Sequence, residues 1–121
     1  MEKQIFVSRL KDRTKKLAVD VVMFYRKIEK SETGRIIGKQ LIRSVTSTAA
    51  NYRAACVGRS KKEFFSKMSI VVEEADESYF WLTLLKETKL AKEEDLNPLL
   101  KEALEILKIM SKAKSTLYNN K

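Results

Sequence analysis

The stretch SKKEFFSKMSIVVEEADESYFWLTLL, residues 60–85, decides the fold class. It opens with a capping box, Ser60-Lys61-Lys62-Glu63. The serine hydroxyl can accept from the amide three residues on, and the glutamate can reach back. Phe64, Met68, Val71, Ala75, Ser78, Leu82 and Leu85 then recur at alternating steps of four and three, the spacing of one helix face. Phe65, Val72 and Tyr79 add a second row every seven residues. An apolar surface this broad has to bury against more than one neighbour. Phe80 and Trp81 fall outside the first row, which gives this helix apolar character on a second side.

Working outward, three more segments carry the same periodicity. Upstream, residues 34–57 place Ile37, Leu41, Val45, Thr48, Tyr52 and Ala55 on one face, with small residues such as Gly38, Ser44, Ala49 and Ala50 letting helix axes come close. Gly58 suits a left-handed cap at its end, and either Ser31 or Thr33 suits its start. Residues 4–29 show Phe6, Leu10, Leu17, Val21, Phe24 and Ile28 on a shared face, widened by Ala18, Val22 and Tyr25. Downstream, the acidic turn Glu93-Glu94-Asp95 suits a helix N-terminus, and Asn97-Pro98 either interrupts that helix or restarts it. Leu100, Ala103, Leu107, Met110, Ala113 and Leu117 form its expected buried row, flanked by Leu99, Ile106 and Ile109. The tail from Tyr118 to Lys121 is expected to fray. Helices over about 4–29, 34–57, 60–88 and 92–118, joined by short connections, make an all-α, antiparallel, up-down-up-down four-helix bundle in a single domain of residues 1–121.

Composition agrees with helix. Three glycines and one proline are too few for a chain built of strands and turns, and 44% hydrophobic residues suffice for a core. No stretch approaches the roughly 20 apolar residues of a membrane span. The N-terminus carries mixed charges rather than an apolar signal core. A single cysteine, Cys56, forms no intrachain disulfide and fits a reducing compartment. A cytoplasmic protein is expected.

Histidine is absent, which removes the commonest general base and zinc ligand. Glu73, Glu74, Asp76 and Glu77 cluster on the third helix, but di-iron bundles also need Glu-x-x-His pairs. Ion pairing with Arg43 or Arg53, or a solvated face, accounts for the carboxylates. There is no Gly-rich phosphate loop. No catalytic residue, metal site or cofactor is expected.

The charge points elsewhere. The net charge is +9, and residues 1–62 hold 16 basic and 5 acidic residues. Between Gly34 and Lys62 there are seven basic residues and no acidic one. Such a field favours polyanion partners. Arg9, Arg13 and Lys16 form a stripe on the first helix, and Arg35, Lys39 and Arg43 another on the second. Arg59, Lys61 and Lys62 cap the end of the bundle. These nine are the candidate RNA- or DNA-binding residues, and stripes of this kind track a phosphate backbone in a salt-sensitive way. Few aromatics interleave, so base stacking is not indicated. Phe80 and Trp81 are the candidate contacts to a second copy or a protein partner. Gln40, Ser44, Ser47 and Asn51 form a polar row that needs partners if buried.

The run Arg43–Ala55, the run Arg59–Phe64 and the runs Glu73–Ser78 and Tyr79–Leu82, in that order, resemble one bacterial family. It is the four-helix-bundle family named for the protein encoded in intervening sequences of 23S ribosomal RNA genes, which includes the accessory variability determinant of diversity-generating retroelements. The resemblance implies an antiparallel four-helix bundle assembled as a homopentamer, with a positive surface, a cytoplasmic location and no catalysis. For the retroelement branch it implies binding to a reverse transcriptase and to nucleic acid. Ala49 and Ala54 stand where the family pattern usually has Gly and Glu. The alternative role is a protein–protein scaffold of the same family with no direct contact to nucleic acid.

Overall fold

The computed structural model describes the backbone of residues 2–119 and the side chains of residues 5–116. Helix α1 spans Glu2–Phe24 and ends in a 3-10 turn, Tyr25–Lys27. Helices α2, α3 and α4 span Glu32–Cys56, Lys61–Glu87 and Glu93–Asn119. No strand occurs among the described residues.

Local chemistry sets the ends. The Ser31 hydroxyl, rather than that of Thr33, accepts from the Gly34 amide at 3.0 Å, and the Ser60 hydroxyl accepts from the Glu63 amide at 3.1 Å. At the end of α3, Lys89 adopts a left-handed φ of 58°. The Leu90 amide then donates to the Leu85 carbonyl at 3.1 Å, and the Lys89 amide to the Lys86 carbonyl at 3.2 Å. This is the six-to-one and five-to-two bonding of a Schellman ending, with lysine in the place glycine usually holds. Gly58, by contrast, is not left-handed, because no glycine in the described residues has positive φ. The turn after α2 closes instead through Val57 and Gly58 amides donating to the Ala54 and Ala55 carbonyls.

The four helices pack in chain order, and α1 meets α4 to close the bundle. The Glu29 amide donates to the Leu90 carbonyl at 2.7 Å, which ties the α1–α2 and α3–α4 connections together at one end. The α2–α3 turn lies at the other end, as an up-down-up-down path requires. Close approach at the tied end depends on two glycines. A Cβ on Gly34 would sit 2.1 Å from the Glu29 carbonyl oxygen, and one on Gly38 would sit 2.6 Å from the Tyr25 ring.

The core takes Leu10, Leu17, Val21, Phe24 and Ile28 from the first segment. It takes Ile37, Leu41, Val45 and Tyr52 from α2, and Met68, Val71, Leu82 and Leu85 from α3. Phe6, expected in the same row as Leu10, is 51% exposed, as it lies in the first two turns, beyond the last buried layer. In α4 the buried row is Leu96, Leu99, Ala103, Ile106 and Met110. Leu100, Leu107 and Ala113, expected in that row, are half-buried flanks. The cause is Pro98: the helix runs unbroken through it, so the row starts at Leu96 rather than after the proline. Tyr118 and Asn119, expected in a frayed tail, are the last residues of α4; the Leu117 side chain, Asn120 and Lys121 lie outside the described residues.

A polar layer crosses the middle of the core. Thr14, Thr48 and Ser78 are buried together with Ala75 and Ala103. Each hydroxyl donates to a carbonyl one turn back on its own helix, at 2.9, 2.8 and 2.7 Å. No buried side-chain polar atom among the described residues lacks a partner. The layer therefore carries no desolvation penalty of the kind an orphaned hydroxyl would impose.

Candidate nucleic-acid interface

The structure separates the two basic stripes. Arg13 faces α4, where its Nε and Nη2 donate to the two Glu102 carboxylate oxygens at 2.9 and 2.6 Å, and Nη2 lies 3.1 Å from Glu105. Lys16 pairs with Asp20 on its own helix at 2.9 Å. Arg9 alone of that triplet has no carboxylate partner among the described residues. Arg43 faces α3, where it donates to both Glu74 oxygens at 2.9 and 3.2 Å, to Glu77, and to the Gln40 side chain at 3.2 Å. Arg35 and Lys39 are exposed and unpaired among the described residues. One stripe thus ends at the α1–α4 seam and the other at the α2–α3 seam, on opposite edges of the bundle.

These pairs hold their charges firmly. Hydrogen bonding to Glu102 raises the Arg13 guanidinium above its already high value, and hydrogen bonding to Glu74 does the same for Arg43. The hydrogen bond from Arg43, followed by one from the Trp81 indole, lowers the Glu77 carboxyl below its usual range. Of the α3 carboxylates, Glu74 and Glu77 are ion-pair partners for Arg43 rather than Arg53, while Glu73 and Asp76 are exposed and unpaired among the described residues. Among the described residues no group of three or more His, Cys, Asp or Glu could hold a metal ion. The polar row is satisfied: the Ser44 hydroxyl donates to the Leu41 carbonyl and the Asn51 amide to Ser47 within α2, and the Ser47 hydroxyl donates across to Glu74 on α3. Cys56 is half-buried beside Tyr52, whose phenol burial pushes above its ordinary value.

What the helix pairing creates instead is a groove of about 550 Å³ between α1 and α2. Lys11 and Lys15 stand on one wall and Arg53 on the other, with Ala18, Ala49 and Ala50 forming a shallow floor. None of the three cations has a carboxylate partner among the described residues. Val57 lines the same groove, so the turn bearing Arg59 leaves from its mouth and leads to Lys61 and Lys62 at the start of α3. Those three are exposed and unpaired among the described residues as well. The sequence reading missed Lys11, Lys15 and Arg53. A signal was present: the lysines are one helical turn apart, and Thr46, Ala49, Ala50 and Arg53 follow helical spacing with small residues.

Phe80 is 53% exposed and meets Trp81 edge to face, with ring centroids 5.1 Å apart and planes at 73°. Trp81 packs partly against the core and donates its Nε1 hydrogen to Glu77 at 3.2 Å. Of the pair, Phe80 presents the open apolar surface.

Residues 8–112 match the sequence model of a family described as 23S rRNA-intervening sequence protein. The chain belongs to that family. A crystal structure of a Bacteroides thetaiotaomicron VPI-5482 protein of the S23 ribosomal protein family, described as of unknown function, superposes on this intervening-sequence family member with a TM-score of 0.81. It is 29% identical over 90% of this chain and 97% of its own length. No curated protein matches. No described helix of this intervening-sequence protein is long and apolar enough to cross a membrane.

Proposed function

We propose that this intervening-sequence family member is a non-catalytic, oligomeric, cytoplasmic protein that binds the phosphate backbone of nucleic acid. The observation that carries the reading is the α1–α2 groove, where Lys11, Lys15 and Arg53 converge without a neutralising partner among the described residues and lead to Arg59, Lys61 and Lys62. Unpaired cations on two facing walls match a strand whose charges are regularly spaced. No aromatic among the described residues lines the groove, so contacts go to backbone rather than to stacked bases. The lack of histidine and the engagement of Glu74 and Glu77 by Arg43 support a role without turnover. Val19, Val22 and Met23 are exposed on α1, which supports self-association.

Fluorescence anisotropy with structured RNA and duplex DNA tests the reading. Binding is expected at low salt and weaker at near-physiological salt. Changing Lys11, Lys15 and Arg53 together to Gln is expected to flatten the salt slope by roughly one per cation lost. No binding at low salt sinks the proposal. A scaffold role toward a protein is the second reading, favoured by the open Phe80 ring. A reverse-transcriptase gene beside this one would make that enzyme the partner; a position inside a ribosomal RNA operon would argue against it.

A further inference from the structure

We infer that the α1–α2 groove reads ribose as well as phosphate, and so takes RNA in preference to DNA. The inference rests on the nucleic-acid reading above and adds the class of nucleic acid. Besides its cations the groove holds two acceptors that phosphate cannot use. Asp12 stands on the α1 wall beside Lys11 and Lys15, exposed and without a hydrogen-bond or ion-pair partner among the described residues. Thr46 stands on the α2 wall, and its hydroxyl hydrogen is committed to the Ile42 carbonyl at 2.8 Å, with the Arg43 carbonyl at 3.1 Å. Its oxygen is left as an acceptor.

A DNA backbone offers this groove only acceptors, namely phosphate and sugar-ring oxygens. Lys11, Lys15 and Arg53 satisfy the phosphates, while Asp12 repels them and Thr46 finds no donor. An RNA backbone has the same phosphates and adds a 2′-hydroxyl on every sugar, which can donate. Donation to Asp12 is a charge-assisted hydrogen bond and turns a repulsive group into a contact. The alanine floor leaves room for the sugar–phosphate chain to approach, and with no aromatic among the described lining residues the bases contribute no stacking that would blur the difference.

The test is a competition among three hairpins of one sequence, made of RNA, DNA and 2′-O-methyl RNA, titrated against the full chain. The methylated probe keeps ribose-like geometry but lacks the hydroxyl donor. Wild type is expected to prefer RNA over both others by roughly tenfold, the worth of one hydrogen bond to a charged group. Asp12→Ala is expected to weaken RNA binding, leave DNA binding equal or stronger, and bring the ratio toward one. Thr46→Val, which keeps the shape of an exposed position, is expected to lower the ratio to a smaller extent. Asp12→Ala strengthening RNA and DNA equally overturns the inference, since Asp12 would then act only as a repelling charge. Equal wild-type affinity for RNA and 2′-O-methyl RNA also overturns it while leaving the phosphate reading standing. Binding to none of the three removes both. Circular dichroism on each variant checks that the bundle is retained.

Discussion

At the residue scale, the arginine that looks like a ligand-binding group in sequence can be a structural one in space. Arg43 continues the row of Arg35 and Lys39, yet it spends its donors on Glu74, Glu77 and Gln40. Its consequence is a pH dependence whose sign can be worked out. The Glu77 carboxyl is held below its usual range by Arg43 and then by Trp81, so its folded value lies under its unfolded one. A group of that kind contributes stability that is present above its unfolded value, about 4.3, and is lost as pH falls through the folded value. Arg43 is nearly half exposed, so the contribution is small, below about 1 kcal/mol per pair. Arg43→Gln is expected to lower the urea midpoint at pH 7, and the gap from wild type is expected to narrow as pH falls below the ordinary glutamate value of about 4.3. Trp81 is the single tryptophan and donates to Glu77, so its fluorescence reports the transition directly. A gap that stays constant down to pH 3 would contradict this account.

At the element scale, the helices end where local chemistry says they should, with one exception that invites a measurement. Lys89 holds a left-handed φ of 58° in the α3–α4 turn, a conformation that costs a residue with a Cβ roughly 1–2 kcal/mol and glycine almost nothing. Lys89→Gly is expected to stabilise the bundle by up to about 1 kcal/mol, after the larger unfolded-state entropy of glycine is subtracted. Calorimetry showing a lower midpoint would mean the lysine side chain contributes more than its backbone costs. The same elements show what periodicity can and cannot reveal. The α2 face from Ile37 to Ala55 and the α3 face from Met68 to Leu85 were legible because their spacing is unbroken and each burial is decided within the helix. The register of α4 was not, because a proline reads as a boundary while the chain tolerates it inside a helix whose face continues from Leu96. Exposure of Phe6 depends on where neighbouring helices stop, and left-handed geometry at Lys89 rather than Gly58 depends on how the turn is bonded. The candidate site was the least legible part. Arg13 finds Glu102 across 89 residues of chain, and Lys11 and Arg53 line one groove only because α1 and α2 are neighbours.

At the scale of the whole molecule, the charge asymmetry does two things. Residues 1–62 carry most of the excess cations, and the rest of the chain has more acid than base. Among the described residues, every ion pair between helices or their connections joins a cation from the first half to a carboxylate of the second: Arg13 to Glu102 and Glu105, Lys27 to Asp95, and Arg43 to Glu74 and Glu77. Part of the asymmetry therefore holds the halves together, while Lys11, Lys15 and Arg53 stay unpaired in the α1–α2 groove. Thermal unfolding can separate the two parts. A ligand bound only by the folded state stabilises it by about 2.7 kcal/mol at a hundredfold excess over Kd, which for a chain of this size raises Tm by roughly 10 °C. An RNA hairpin at low salt is expected to give such a rise for wild type, and added salt is expected to abolish it. Arg13→Gln removes an inward pair that is about one-third exposed, so it is expected to lower Tm slightly in buffer and keep the rise with RNA. Replacing Lys11, Lys15 and Arg53 by Gln is expected to leave Tm in buffer unchanged or higher, because it relieves like-charge repulsion, and to erase most of the rise. The opposite pattern, with RNA protection lost in Arg13→Gln and kept in the triple variant, would move the binding surface to the α1–α4 seam and with it the stripe of Arg9, Arg13 and Lys16.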